Sequence, residues 1–401
     1  MTRLTRKEQR LIEPIERQPM LDHVLGWVAI NSGTGNFAGL QAMAEQLAEA
    51  FSTLPGNVEL VDADAVERVA ANGSIAAIVC GQHLLLRVRP NASRRVLLTG
   101  HMDTVFAADH PFQRCKWIDE KTLCGPGTAD MKGGIALMLT ALRAFEASQP
   151  ALGYDLLINS DEEIGSVSSD RIIRELAQGK LAALTYEPSL PGGIMARARP
   201  GSGNFAAIVT GHAAHAGRNP EEGRNAIVAA SDLALRLAKA RHPSLGINPA
   251  RIEGGGPDNM VPELAILRFN MRPLHQKDVV EAAAIVERAR AKVSHEHDVA
   301  IRIHGGFGRP PKLIDEGTER LFARIARTAA DLGETLDWKD TGGVCDGNNI
   351  AALGVPVIDT MGACGGEIHS PGEFLLVDSL VTRARLTALV LHRLDASGGL
   401  P

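Results

Sequence analysis

Histidine and acidic residues recur along this chain in short motifs that could bind a metal ion. The first motif, TGHMDTV, contains His101 and Asp103 at the end of a strand-like run. Side chains two apart on a strand point to the same face, so Asp103 can accept the second ring N–H of His101 and raise its basicity. A His-x-Asp pair alone is weak evidence, since a histidine in the core or on the surface is the commoner case.

Four further motifs follow in order along the chain. CGPGTADMKGG contains Asp130, SDEEIG contains Glu162 and Glu163, TYEPS contains Glu187, and GGEIHSPGE contains His369. Taken singly, Asp130 would be a helix N-cap and the acidic run a solvated turn. In an open α/β sheet, however, ligands bind at the carboxyl ends of the strands, where we expect all of these motifs to lie.

Together these residues make a ligand set of two imidazoles and three carboxylates, without thiolate. Such a set suits zinc in a hydrolytic site, and cobalt or manganese also fit. Two zinc ions, one bridging carboxylate and a histidine on each ion would use all five ligands, and the pair could share and activate a water. Glu162 is left over beside Glu163, and a carboxylate near such a water is what a general base requires. The five candidate ligands are His101, Asp130, Glu163, Glu187 and His369.

The elements that position these motifs alternate between strand and helix patterns. Strand patterns cover residues 83–90, 94–105, 154–160 and 181–189, and helical patterns cover residues 131–147 and 168–177. This alternation predicts an α/β fold with a largely parallel sheet and helices on both faces. Further along, the order becomes β-α-β-β-α-β, a ferredoxin-like unit. We therefore predict a catalytic domain of residues 1–197 and 310–401, with an inserted domain of residues 198–309.

Composition excludes several classes of function. The net charge of −5, the lack of a basic block and an aromatic content of 4% argue against nucleic-acid and anionic-membrane partners. No apolar run approaches the roughly 18 residues that a membrane span needs. The five cysteines form no CxxC pair, and the charged N-terminus lacks the apolar core of a signal peptide. We therefore expect a globular protein of the cytoplasm.

The five motifs, in this order, resemble those of peptidase family M20, the di-zinc carboxypeptidases, aminoacylases and N-acyl amino-acid deacylases. The resemblance covers nearly the whole chain after about residue 20. It implies two zinc ions per chain, with Asp130 bridging them. His101 and Glu187 would complete one site, and Glu163 and His369 the other.

The same resemblance implies roles for residues around the metals. Asp103 would orient His101, Glu162 would be the general base, and a cis peptide bond would follow Asp130. The inserted domain would be a lid through which two chains form a homodimer.

Residues of the lid, and a loop that follows it, would contact the substrate. His215, in GHAAHAG, resembles a histidine that donates to the oxyanion from the partner subunit. Arg272 resembles an arginine that binds the substrate's α-carboxylate, and Asn259 a neighbouring polar contact. Gly342 and Gly343 resemble a glycine loop that lines the substrate side. A surface-loop histidine and an edge-strand arginine in a salt bridge are the simpler alternatives.

The predicted function is hydrolysis of the amide bond next to a free α-carboxylate, in a short peptide or an N-acyl amino acid. RNPEEGRNAI and TYEPS favour the glutamate carboxypeptidase branch. The nearest alternative is an N-acyl amino-acid deacylase of the aminoacylase or acetylornithine deacetylase type. A further alternative is a non-catalytic, metal-stabilised dimeric binding protein. Such a protein should lack the general base or a metal ligand, and this sequence retains all of them. A phosphoesterase would want a P-loop or a cationic cluster, and the sequence contains neither.

Overall fold

The computed structural model describes residues 4–399. The helices are α1 Arg6–Ile12, α2 Arg17–Val28, α3 Phe37–Phe51, α4 Gly133–Ala147, α5 Asp170–Ala177, α6 Ala226–Lys239, α7 Gln276–His297, α8 Glu316–Asp331, α9 Asp346–Ala351 and α10 Asp378–Ser397. The strands are β1 Asn57–Val61, β2 Val66–Val69, β3 Ile75–Ile78, β4 His83–Val88, β5 Arg95–His101, β6 Lys116–Trp117, β7 Thr122–Cys124, β8 Gly153–Asn159, β9 Ala182–Thr185, β10 Met195–Ala196, β11 Ser202–Thr210, β12 Ala214–His215, β13 Leu245–Gly254, β14 Met260–Val261, β15 Leu264–Pro273, β16 Ala300–Arg309, β17 Trp338–Lys339, β18 Val357–Ile358, β19 Gly365–Gly366 and β20 Phe374–Leu376. None of the helices within this range is long and apolar enough to cross a membrane.

The larger domain is built on a six-stranded sheet in the order β1-β4-β8-β5-β9-β18. The pairs from β8 to β18 are parallel, whereas β4 pairs antiparallel with both of its neighbours. Every residue of β8 is buried, as expected for a strand covered by helices on both faces. The main core lies on one face against α2, α4 and α10, and a smaller core lies on the other against α5 and α9.

Helix α4 runs through the main core, and its start depends on glycine. A Cβ on Gly134 would lie 2.2 Å from the carbonyl oxygen of Tyr186. The KGG sequence therefore lets the helix approach the chain that leaves β9, close to the predicted ligand Glu187.

The smaller domain has the ferredoxin-like order that the sequence predicts. Its antiparallel sheet runs β13-β15-β11-β16, and α6 and α7 pack on one face around apolar residues such as Leu233, Leu267 and Val286. The connections to the larger domain run side by side: Arg199 and Lys312 exchange backbone hydrogen bonds of 3.0 Å. The exact domain boundaries stay a prediction.

The other face of this sheet contacts a hairpin from the larger domain. Strands β2 and β3 form that hairpin, and Val69 packs with Ala206, Ile208 and Ile266 of the lid. Arg268 adds a 2.7 Å hydrogen bond to the carbonyl of Val69. The hairpin therefore joins the lid to the larger domain at a point remote in sequence from the connections.

Candidate active site

Three adjacent parallel strands bring three of the five predicted ligands together. In the order β8-β5-β9, His101 is paired with Asn159, and Thr99 with Thr185. These strands end at the same edge of the sheet, so the turns that follow β8 and β9 flank His101. Glu163 lies in the first of these turns and Glu187 in the second. Asp130 and His369 lie instead in loops of a separate antiparallel sheet, β19-β20-β7-β6, so the expectation that all five follow strands of the parallel sheet is wrong for these two.

One group that could hold a metal ion consists of His101, Asp130 and Glu187, whose ligand atoms lie within 4.8 Å of one another. His101 Nε2 is 3.0 Å from Asp130 Oδ1 and 3.8 Å from Glu187 Oε2. All three residues are buried. The peptide bond between Asp130 and Met131 is cis, as the sequence predicts.

A second group consists of Asp130, Glu163 and His369. The Nε2 atom of His369 lies 3.3 Å from Asp130 Oδ2 and 3.1 Å from Glu163 Oε2. Asp130 therefore belongs to both groups, with one carboxylate oxygen facing each histidine. Only His369 of the five predicted ligands is substantially exposed, so this side of the site opens to solvent.

The electrostatics of the site favour a cation. Burial raises the pKa of Glu163 to about 7 and also raises the pKa of Glu187. Burial lowers the pKa of His101, but the carboxylates of Asp103, Asp130 and Glu187 outweigh this effect and raise it well above its usual range. These shifts reflect concentrated negative charge in a water-poor setting, and bound divalent cations would offset it. The donor set therefore fits the metals that the sequence implies.

The three adjacent acids have different contacts. Asp161 is fully buried and accepts hydrogen bonds from the backbone of Ser168 and the hydroxyl of Ser169, so it shapes the turn. Glu163 faces His369. Glu162 instead contacts Arg309. Burial raises the pKa of Glu162 well above the usual range of a carboxyl group.

Asp103 connects this turn to the end of β5. Its carboxylate accepts the backbone N–H groups of Glu162 and Glu163 at 3.1 and 3.2 Å and the hydroxyl of Thr34 at 2.8 Å. The Oδ1 atom is also 3.3 Å from Nδ1 of His101. Asp103 thus contacts the histidine it was predicted to orient, and it also fixes the backbone of the predicted base.

Two buried charged residues near the site were not predicted. Arg309 forms a 2.6 Å ion pair with Glu162 and a 2.9 Å ion pair with Asp346. Glu373 accepts backbone hydrogen bonds from Gly127, Ala129 and Asp130, and so fixes the turn that presents Asp130. The sequence motifs predicted no role for either residue. The only sequence signal for Arg309 is its position at the return from the inserted domain.

The predicted substrate residues fall into two groups. Arg272 donates a 2.7 Å hydrogen bond to the carbonyl of Gly342, and the next residue, Gly343, accepts one from Arg199. His215 lies on the small β12–β14 ribbon of the lid, and Asn259 directly precedes β14; the carbonyl of Asn259 accepts the N–H of Ala216. Within residues 4–399, neither His215 nor Asn259 forms a hydrogen bond or ion pair with the five candidate ligands.

Comparison with known proteins identifies the family. The sequence matches the family described as Peptidase family M20/M25/M40 over residues 97–393. The chain belongs to peptidase family M20/M25/M40. It is 30% identical to carboxypeptidase G2 of Pseudomonas sp. (strain RS-16) over 383 residues, covering 92% of this chain and 88% of that protein. It is 26% identical to succinyl-diaminopimelate desuccinylase of Verminephrobacter eiseniae over 328 residues, covering 76% and 80%.

Solved structures of M20 and related peptidases have the same fold. The di-peptidase Dug1p from Saccharomyces cerevisiae superposes with a TM-score of 0.75 at 16% identity, covering 98% of each chain. The M20 metallo-carboxypeptidase Sso-CP2 from Sulfolobus solfataricus gives 0.72 at 15%, covering 93% of this chain and 98% of its own. The predicted family, fold class and enzyme class are confirmed: this M20 protein is a metal-dependent hydrolase of amide bonds.

Proposed function

We propose that this M20 hydrolase cleaves the amide bond next to a free α-carboxylate, in a short peptide or an N-acyl amino acid. The observation that carries the proposal is the position of Glu162. Its buried carboxylate lies beside two groups of metal-ligand residues and takes part in neither. Glu162 is therefore not needed as a metal ligand, and its carboxylate is available to exchange a proton with the substrate.

The proposed cofactor is a pair of zinc ions, with cobalt or manganese as substitutes. His101, Asp130 and Glu187 would hold one ion, and Asp130, Glu163 and His369 the other. When bound, two such ions polarise the scissile carbonyl and lower the pKa of water. Asp103 and Glu373 keep the ligand-bearing turns in place through the backbone hydrogen bonds described above.

Glu162 is the proposed general base and acid. It accepts a proton from the water that attacks the carbonyl and then gives that proton to the leaving amine. Burial raises its pKa, and a carboxylate with a raised pKa accepts a proton more readily. Arg309 contacts one carboxylate oxygen, Oε1, and so restricts the rotation of the group.

Substrate binding is assigned to the lid and to the glycine loop. Arg272 is exposed and beside Gly342, and its planar guanidinium suits a carboxylate. His215, with Asn259 next to it, would donate to the oxyanion from the partner of a homodimer. The exposed Val228 and Leu235 on α6 support dimerisation through the lid. The five free cysteines support a cytoplasmic location.

The first experiment measures amino-acid release from a panel of substrates. N-acyl amino acids and dipeptides ending in Glu, Asp, Leu or Ala are incubated with zinc-loaded wild type, Glu162→Gln and Glu13→Gln. Glu13 is an exposed glutamate and serves as the matched control. We expect Glu162→Gln to lose about 10²–10⁴-fold in kcat with unchanged metal content. The control should retain full activity.

The same panel separates the two candidate reactions. Preference for a C-terminal glutamate peptide bond would support the glutamate carboxypeptidase branch, and one relative, carboxypeptidase G2, is a carboxypeptidase. Preference for simple N-acyl amino acids would support the deacylase alternative, as the desuccinylase relative suggests. If wild type with two bound metals releases no amino acid from any substrate, the proposal is wrong.

A further inference from the structure

A cavity separate from the metal site lies in the larger domain, between α8, α10 and the loops around residues 192 and 364. Its volume is about 460 Å³, within the range of small-molecule sites. One wall is apolar and includes Leu332, Leu336 and Leu386. An adjoining part of the lining is polar and includes Arg383 and Thr382, one turn before Leu386 on α10. None of the catalytic or metal-site residues named above lines it.

Arg383 is the unusual feature of this cavity. The residue is only 3% exposed, yet within residues 4–399 no carboxylate lies within ion-pair distance of its guanidinium. Its Nη2 atom donates to the carbonyl of Gly193 at 2.8 Å and lies 3.7 Å from the sulfur of Cys364. Its Nη1 atom is buried and has no hydrogen-bond partner among the described residues. Buried charges are normally paired, because desolvating a lone charge is costly.

We propose that this cavity binds a small, singly charged carboxylate with an apolar body. The carboxylate would lie against the guanidinium of Arg383 and neutralise its charge, while the body would contact the leucine wall. Glu334, Asp378 and Lys121 also line the cavity, and Lys121 pairs with Asp378 at 3.8 Å. Glu334 has no such partner among the described residues and would repel a second negative charge, which disfavours phosphate esters and dicarboxylates. This inference does not rest on the proposed function.

Cys364 provides a reporter inside the cavity. It is partly exposed, unpaired and adjacent to Arg383, so a ligand seated there would cover its sulfur. Cys80 is also partly exposed and unpaired, but it does not line this cavity. The rates at which the two thiols are alkylated can be measured in one sample by peptide mapping.

The test uses octanoate as probe on the metal-loaded enzyme. We expect octanoate at saturation to slow N-ethylmaleimide labelling of Cys364 several-fold and to leave Cys80 unchanged. Octan-1-ol, which has the same chain without the charge, should give no protection. Butyrate, which lacks the apolar body, should protect only at much higher concentration.

Two variants locate the binding site. Arg383→Met removes the guanidinium and should weaken octanoate binding, measured by calorimetry, by about tenfold or more, as expected for a lost charge-assisted hydrogen bond. Thr382→Phe fills the cavity from a half-buried position, leaves Arg383 in place and should also abolish protection of Cys364. Circular dichroism and hydrolytic activity check that the variants fold. Octanoate that bound only at the metal centre would bind both variants as tightly as wild type, and that result would overturn the proposal.

Discussion

Asp103 contacts both the predicted ligand His101 and the backbone of Glu162 and Glu163. Its Oδ1 atom accepts the backbone N–H of Glu162 and its Oδ2 atom that of Glu163, so each oxygen holds a different residue of the turn. An amide at this position would turn an NH₂ group toward one of those donors. Asp103 therefore couples the end of β5 to the turn after β8, and the geometry of the base depends on it.

Asp103→Asn should lower activity or metal affinity by about 10–100-fold, the usual effect of changing a partner of a metal ligand. The measurement is kcat together with metal content after dialysis. Thr34→Val removes only the hydroxyl that donates to Asp103, and we expect a smaller loss. Equal losses in the two variants would contradict the assignment, because they would show that the backbone hydrogen bonds of the carboxylate contribute nothing.

Arg309 is the only cation in ion-pair contact with Glu162 among the described residues. Arg309→Met would leave the buried carboxylates of Glu162 and Asp346 without their partner. We expect the free energy of unfolding of the metal-loaded enzyme to fall by about 3–5 kcal/mol, measured by urea denaturation. Arg309→Lys keeps the charge and should recover part of this loss. A stable Arg309→Met enzyme would show that water or another group compensates the two acids.

The motifs of His101, Glu163 and Glu187 could be predicted from the sequence because each lies at the end of a strand, and parallel neighbouring strands end together. The position of Asp130 and His369 could not be predicted in this way, because they lie beside β7 and β19 of a separate antiparallel sheet. Arg309 could not, because its contact with Glu162 joins residues 147 positions apart. That contact depends on how the inserted domain returns to the sheet. No local pattern encodes the angle of that return.

At the scale of elements, a buried ion-pair cluster joins the two chain segments that connect the domains to the end of β18. One segment contains Arg199 and the other Lys312, and Asp359 directly follows β18. Asp359 accepts two hydrogen bonds from Arg199 and one from Lys312, at 2.8–3.1 Å, and all three residues are buried. Arg199 also contacts the carbonyl of Gly343. The cluster thus positions the glycine loop that Arg272 contacts from the lid.

Asp359→Asn should destabilise the protein by about 3–5 kcal/mol at pH 7, because two buried cations would lose their counter-ion. Burial favours the neutral form of Asp359, but Arg199 and Lys312 outweigh it and lower its pKa from 3.8 to about 2. The stabilisation from this lowered pKa is fully present above pH 3.8 and is lost as the pH falls through about 2. Urea denaturation should therefore show a smaller difference between variant and wild type at pH 3 than at pH 7.

The control for this prediction is Asp378→Asn. Asp378 is a half-exposed acid paired with Arg17 at the surface, and we expect a change below about 1 kcal/mol. A difference between Asp359→Asn and wild type that stays constant from pH 7 to pH 3 would contradict the lowered pKa of Asp359.

The sequence patterns predicted β4, β5, β8 and β9 of the larger sheet and the order of elements in the lid, but they did not predict β1 or the hairpin of β2 and β3. The two strands of the hairpin have four residues each, and most of their side chains are exposed, so they show no clear alternation. Their position is decided by tertiary contacts between Val69 and the lid. Short elements of this kind depend on packing more than on local pattern.

At the scale of the whole molecule, the lid has one face suited to a second copy of the chain. Val228 and Leu235 are seven residues apart on α6, so they lie on the same side of the helix, and they are 51% and 60% exposed. Helix α6 packs against β13, an edge strand of the lid sheet whose backbone is free to pair. An interface built from α6 and β13 would cover these two exposed side chains and pair the free edge of the sheet.

Leu235→Glu places a charge in this proposed interface and should convert the dimer to monomer in sedimentation velocity. If His215 acts from the partner, kcat should fall with dimer content, by about the 10²–10³-fold that loss of one oxyanion donor costs, and His215→Ala should show the same loss while remaining dimeric. Val280→Glu changes an equally exposed residue on α7, the helix farther from β13, and should leave both dimer and activity intact. A fully active Leu235→Glu monomer would instead place the oxyanion donor within a single chain, because no second copy would then be needed to complete the site.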